Sequence, residues 1–182
     1  MGAAVTARLA PGESLGDRIL KVVHAGEHGA VNIYRGQRLG ARLSCPALGP
    51  ELADFQAHEE GHRARFAAEL AVRGRRRCRS FLFCGAGGLA LGLATGLLGR
   101  GAIAVTTVAV ERVVLRHLDA YRAALATEDP AAHEALSAIY EEEKAHHDRF
   151  AAALPRPGVF LRLLDAVVAG STEAVIWAGM HL

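Results

Sequence analysis

The sequence has few cysteines, few prolines, only short β-branched runs and almost no acid across its middle. Three cysteines, Cys45, Cys78 and Cys84, form no Cys-x-x-Cys pair. An odd count without a paired spacing argues against a disulfide framework, and free thiols in a reducing compartment are expected, Cys78 and Cys84 included. The first sixteen residues hold no long apolar core, so a secretory leader is not expected. No glycine-rich nucleotide fingerprint occurs, so dinucleotide binding has no independent signal; a net charge of +2 argues neither for nor against nucleic acid, and no nucleic-acid partner is expected. Six prolines among 182 residues leave room for long helices.

What is present is apolar and helical in character. Hydrophobic residues make up 51% of the chain, which excludes the disordered class, and Ala, Leu, Arg and Glu dominate. Residues 1–14 read as a flexible N-terminus and 15–182 as one domain. Ser14 and Asp17 are good N-caps for a first helix with Ile19, Leu20, Val23, Ala30, Ile33 and Tyr34 facing a core. Ser44-Cys45-Pro46 to Gly49-Pro50 marks the turn into a second helix, about residues 51–73. A basic cluster, Arg73 to Arg79, follows; its bland reading is a solvated loop, its functional one contact with anionic lipid headgroups.

Phe81 to Leu98 carries no charge and five glycines. Its 18 residues reach the lower edge of membrane-spanning length, yet small residues also let helices pack closely. A helix packed in a bundle, or dipping into a membrane surface, is expected. Two further long helices, about residues 102–126 and 130–154, follow, the second stopped by Pro155 and Pro157. A last apolar helix, 160–180, should bury Leu161, Leu164, Val168, Val175 and Ile176.

Two helices carry Glu-x-x-His: Glu59 with His62, and Glu143 with His146. Residues three apart share a helix face, so each pair can serve one metal centre. Alone the pattern is weak, since charged helices produce it by chance. Glu27, however, lies 32 residues before Glu59, and Glu111 lies 32 residues before Glu143. Each half is then a helical hairpin with one Glu on its first helix and Glu-x-x-His on its second. That is the ligand rule of ferritin-like di-metal carboxylate bundles. Four carboxylates balance two divalent ions, so the loaded site can be neutral in an apolar bundle.

Solvated surface charges are the bland alternative. Glu27 sits between Gly26 and Gly29, where helical glycine costs about 1 kcal/mol relative to alanine. Glu111 is the only acid between Glu69 and Asp119. Both facts favour a metal site. His58-Glu59-Glu60-Gly61-His62 also matches HExxH, a zinc-protease helix, but that reading leaves the second hairpin unexplained. His58 and Glu142 each precede a ligand Glu and are candidates for orienting ligands; Tyr34 and His117 are candidate neighbours of the site.

Taken with Asp17-Arg18-Ile19, the run His24-Ala25-Gly26-Glu27-His28-Gly29-Ala30 and then Ile33-Tyr34-Arg35-Gly36-Gln37 resembles the start of the demethoxyubiquinone hydroxylase (Coq7) family. Gly92 to Gly99, Thr107-Val108-Ala109-Val110-Glu111 and Glu142-Glu143-Lys144-Ala145-His146-His147-Asp148 extend the resemblance over nearly the whole domain. It implies an all-α, ferritin-like four-helix bundle with an additional C-terminal helix and a short apolar helix between the hairpins. It implies two iron ions on Glu27, Glu59, His62, Glu111, Glu143 and His146, and oxygen-dependent hydroxylation of a demethoxy-quinone ring in ubiquinone biosynthesis. It further implies NADH as electron donor, O2 and a polyprenyl quinone as substrates, and peripheral attachment to a bacterial inner or plasma membrane on its cytoplasmic face, or to the mitochondrial inner membrane in a eukaryote. A second copy of the chain or an accessory lipid-binding protein is a further partner to be considered. Alternatives are hydroxylation of another substrate, such as a modified tRNA base, and a non-catalytic lipid-binding homologue. The chain departs from the family where Arg112 follows Glu111 and where Arg116-His117-Leu118 replaces His-His-Tyr.

Overall fold

A computed structural model describes residues 5–153 and 158–182. They form six helices and, among the described residues, no strand: α1 (Leu15–Ser44), α2 (Gly49–Val72), α3 (Phe81–Leu98), α4 (Arg100–Leu125), α5 (Pro130–Ala153) and α6 (Val159–His181). The all-α expectation therefore holds. Pro155 and Pro157 lie outside the described residues.

Local chemistry sets where α1 begins. The Ser14 hydroxyl accepts from the Asp17 N–H at 3.0 Å and the Asp17 carboxylate accepts from the Ser14 N–H at 3.1 Å, a reciprocal cap for two orphan donors. Ahead of it, within the stretch read from sequence as flexible, the Arg8 N–H donates to the Met180 carbonyl at 2.9 Å, and Glu13 accepts from Arg18 and Lys21 at 2.8 and 2.7 Å. At the other end Cys45 and Pro46 break the helix, and Pro50 sits in the first turn of α2.

α1 and α2 run antiparallel: Arg73 pairs with Asp17, Arg63 meets His28, and Arg38 meets Gln56. α4 and α5 form the second hairpin, with Tyr140 bonded to Asp119 and Arg122 to Ser137. Below the site, one core packs Ile19, Leu20, Phe66, Leu118, Leu125, Leu136 and Ile139; a second, at the other end, packs Tyr34, Leu52, Phe55, Ile103 and Phe150.

α3 packs parallel to α1, backbone against backbone. A Cβ on Gly88, Gly92 or Gly96 would come within 2.3, 2.0 or 2.6 Å of the carbonyl oxygens of Gly29, Ile33 and Gln37. The constant offset and four-residue step make one continuous seam, and Gly36 and Gly40 complete it from the α1 side. This explains the glycines of α3 as close approach to α1. The helix is long and apolar enough to cross a membrane by length and composition, but a span by α3 would carry α1 and its buried Glu27 with it. Gly92→Val is expected to destabilise the fold by about 3 kcal/mol or more, because the obstruction is backbone and cannot rotate away. Chemical denaturation of the purified variant measures it.

Two expectations need correction. The basic cluster is not a uniformly free surface: Arg73 is forked on Asp129 and lies 3.6 Å from Asp17, and Arg75 pairs with Asp17 at 2.9 Å. These two cations tie the loop to the start of α1 and of α5, leaving Arg76, Arg77 and Arg79 exposed. In α6, only Val168 of the five expected positions is fully buried; Leu161, Leu164 and Ile176 are half-buried and Val175 is exposed. The reason is that α6 packs on α4 and the start of α1 with one side only. Its other side leaves Val159, Phe160, Leu163, Val167 and Trp177 uncovered, as α3 leaves Leu82, Phe83, Leu97 and Leu98.

Candidate metal centre

The inward faces of four helices supply the charged groups at the middle of the molecule: Glu27 from α1, Glu59 and His62 from α2, Glu111 from α4, Glu143 and His146 from α5. All six are at least 95% buried. They form two overlapping quartets. Glu27, Glu59, His62 and Glu143 offer ligand atoms within 4.8 Å of one another, and so do Glu59, Glu111, Glu143 and His146. Glu59 and Glu143 belong to both sets. The two Glu-x-x-His glutamates thus occupy the shared, central position, while Glu27 and Glu111 stand at opposite flanks.

The histidines cross between hairpins. His62 Nδ1 lies 2.9 Å from Glu143 Oε1, on the other hairpin, and 3.6 and 3.7 Å from Glu27 and Glu59. His146 Nδ1 lies 3.3 Å from Glu59 and 3.8 Å from Glu143. Despite these approaches, neither Nδ1 is aligned for a hydrogen bond; both are buried and orphaned, as is Glu59 Oε1. Buried polar atoms without partners are costly. Two divalent cations placed between the quartets would engage all three, and a set of four carboxylates and two imidazoles is the donor chemistry of a di-metal carboxylate site.

The opposite ring nitrogens are held from outside. His62 Nε2 meets Glu142 Oε2 at 3.0 Å, and His146 Nε2 meets His58 Nδ1 at 3.0 Å, with those two imidazole rings stacked. Both residues named from sequence as orienting candidates therefore touch a candidate ligand histidine, and each leaves that ring's Nδ1 facing inward. Tyr34 is buried on the same side as Phe55, with ring centroids 5.7 Å apart. Burial, then the charges of Glu111, Glu59 and Glu143, push its phenol well above the usual value.

Without a cation the cluster resists ionisation. Burial, reinforced by the Glu143 and Glu59 charges, holds Glu27 protonated well above the ordinary carboxyl range against the pull of His62. Burial and the Glu143 and Glu59 charges do the same to Glu111. Burial would raise Glu143 too, but His146, His62 and Glu111 override it and keep Glu143 ionised. Burial alone would discharge His62; Glu143, Glu27 and Glu59 instead hold it well above its usual value. His146 is likewise raised by Glu143 and Glu59, to about 9, in spite of burial.

A cavity of about 310 Å³ adjoins the four carboxylates. Val22, Val23, Ile33, Leu91, Val110 and Val114 give it apolar walls, with Gly26, Gly29 and Ala30 beside Glu27, and Phe83, Gly87 and Val175 from α3 and α6 at its outer part. His117, a candidate neighbour of the site, lines it too, with Nε2 2.8 Å from Glu173 of α6. Sequence reading missed the partners of the departing residues: Arg112 forks on Asp165, and Arg116 pairs with Glu173, so both arginines join α4 to α6. Unmatched charges on two otherwise apolar helices were the signal available.

Comparison with known proteins gives concordant results. Residues 14–179 match the family model described as ubiquinone biosynthesis protein COQ7. The chain is similar to the mitochondrial NADPH-dependent 3-demethoxyubiquinone 3-hydroxylases of Mus musculus (36% identity over 137 residues, 72% of this chain) and Homo sapiens (37% over 137 residues, 72% of this chain). The matched part is 62% of the length of each of these mammalian relatives. The 3-demethoxyubiquinol 3-hydroxylase of Rhodospirillum rubrum is 31% identical over 163 residues, covering 88% of this chain and 76% of the relative.

Proposed function

Because the chain belongs to the COQ7 family of ubiquinone biosynthesis proteins, we propose that it hydroxylates the ring of a demethoxyubiquinol with O2 at a di-iron centre. The observation that carries this reading is the pair of quartets sharing Glu59 and Glu143 at the inner end of an apolar cavity. Glu27, His62, Glu111 and His146, with Glu59 and Glu143 common to both quartets, would hold the two ions. Two irons held there supply reductive activation of dioxygen for transfer of one oxygen atom to the ring, the other leaving as water.

The protein's own residues do the rest. Glu142 and His58 hold the ligand imidazoles in the orientation that presents Nδ1. The apolar walls admit a prenylated ring and exclude bulk water, which favours a quinol over a polar base as substrate. Gly26, where an added Cβ would meet nothing within 4 Å, leaves room for a small molecule next to Glu27. His117, bonded to Glu173, gives the otherwise apolar cavity wall a polar group. The names of the mammalian relatives specify NADPH; a reduced nicotinamide is the electron source proposed here.

The uncovered apolar sides of α3 and α6 flank the outer part of the cavity and suit peripheral attachment to a membrane, from which a polyprenyl tail would enter. Vesicle flotation is expected to recover the protein with lipid, and Phe160→Ser together with Trp177→Ser to reduce the bound fraction several-fold, as lost apolar burial dictates. Recovery in the lipid-free fraction at low salt would remove the membrane from the proposal. Metal analysis should find about two irons per chain; one zinc and no iron would favour the HExxH alternative. Deletion of the gene should cause a demethoxy-quinone to accumulate in extracted lipid. An unchanged quinone profile rules out this substrate.

A further inference from the structure

A cluster of basic side chains lies outside the candidate metal centre, where α1, α2 and the start of α3 meet. His28 stacks on Phe81 at the start of α3, with centroids 3.9 Å apart and rings within 3° of parallel. The Arg77 guanidinium sits 4.8 Å from the centre of the same Phe81 ring. Arg63 of α2 approaches His28 Nδ1 to 3.3 Å. His24, one turn before His28, places its ring 4.9 Å from Phe81; the residue is only 8% exposed and its Nδ1 is buried without a partner. Four basic side chains from α1, α2 and the loop before α3 thus gather about one aromatic ring.

Nothing of opposite sign answers them. Among the described residues neither Arg63, Arg77, His24 nor His28 has a carboxylate within ion-pair distance, although the neighbouring Arg73 and Arg75 are fully paired. α3 begins here with no acidic residue in its first turn and no side-chain cap, so its positive end adds to the field. Burial, then His28, Arg63 and Arg77, push His24 down to about 4. His24 is thereby pushed toward its neutral form, which leaves the two guanidiniums as the charge an anion would meet.

We propose that Arg63 and Arg77, with the first turn of α3, form a subsite for a phosphate group. Two guanidiniums and an uncapped helix start are the donors that phosphate oxygens take. Phe83 and Cys84, one turn into α3, line the cavity. A phosphate held at the subsite therefore keeps the rest of its molecule near the cavity's outer part. Two sources share this chemistry, a nicotinamide dinucleotide phosphate and an anionic lipid headgroup.

The test uses the full-length, metal-loaded protein at constant ionic strength, with inorganic phosphate, NADP+ and vesicles with or without phosphatidylglycerol as probes. The double variant Arg63→Gln/Arg77→Gln is compared with Arg42→Gln/Arg65→Gln, which removes the same charge elsewhere; circular dichroism checks that both fold. Phosphate and NADP+ binding by calorimetry, weakened at least about tenfold in the first variant alone, supports the subsite with a soluble ligand. A preference for phosphatidylglycerol vesicles that only the first variant loses supports it with a lipid headgroup. Equal losses in both variants, or no probe exceeding chloride, overturn it. Phosphate bound at the metals would be unaffected by the first variant, so failure here leaves the hydroxylase reading standing.

Discussion

Glu111→Ala is expected to lower ring hydroxylation at least a hundredfold or so, and to do so as severely as Glu27→Ala, since removing a ligand exceeds the 10–100-fold typical of an outer-shell loss. No motif surrounds Glu111; it stands alone between Val110 and Arg112 on an apolar helix. Its partners in space make the case. It shares a quartet with Glu59, Glu143 and His146, as Glu27 shares one with Glu59, His62 and Glu143. Losing either flank would take one of four candidate donors from its quartet. The fold should survive, because in the metal-free protein Glu111 is a protonated group pressed against other carboxylates. Helical content by circular dichroism should match wild type, while iron content falls below two per chain. Retention of two irons with near-normal product formation in Glu111→Ala would mean that the equal 32-residue spacing has no functional meaning.

That spacing made the centre legible in the sequence. Carboxylates and imidazoles at i and i+3 mark a helix face, and a repeated interval marks equivalent hairpins, so the six residues that converge could be named without coordinates. Helix starts and stops were equally readable where side-chain chemistry decides them, as at Ser14 and Pro46. What sequence could not reveal was pairing at a distance. Glu-x-x-His implies one metal per motif, yet in three dimensions His62 sits nearest Glu143 and His146 nearest Glu59, because the hairpins interleave. The basic run Arg73 to Arg79 reads as a single patch, while the fold divides it between internal ion pairs and an unanswered cluster around Phe81. Periodicity placed an apolar face on α6 but could not tell that a second apolar face would stay uncovered, since alternation reports amphipathicity and not the number of layers above a helix.

Loading the metal-free protein is expected to release about four protons near neutral pH, one each from Glu27, Glu111, His62 and His146, because metal ligands bind deprotonated. The two carboxyls are raised by burial and neighbouring charge, and the two imidazoles by the carboxylates around them. Glu143 is already ionised and contributes none. Metal affinity should therefore fall steeply on acidification, by roughly 1.4 kcal/mol per released proton for each pH unit. The stability of the metal-free protein should run the other way. Groups whose folded values are raised stabilise below their unfolded values, near 4.5 for Glu27 and Glu111 and 6.5 for the histidines, and that contribution is lost as pH climbs through the folded values. For His146 the loss is complete above about 9. Between pH 6 and 9 the metal-free chain should melt at progressively lower temperature, whereas the loaded chain gains stability with pH as its ions bind more tightly. Calorimetric titration with iron(II) under anaerobic conditions, repeated in buffers of different ionisation enthalpy, counts the protons directly. A count near zero would place the six groups already deprotonated before metal arrives, and opposite pH trends in melting would then be absent as well.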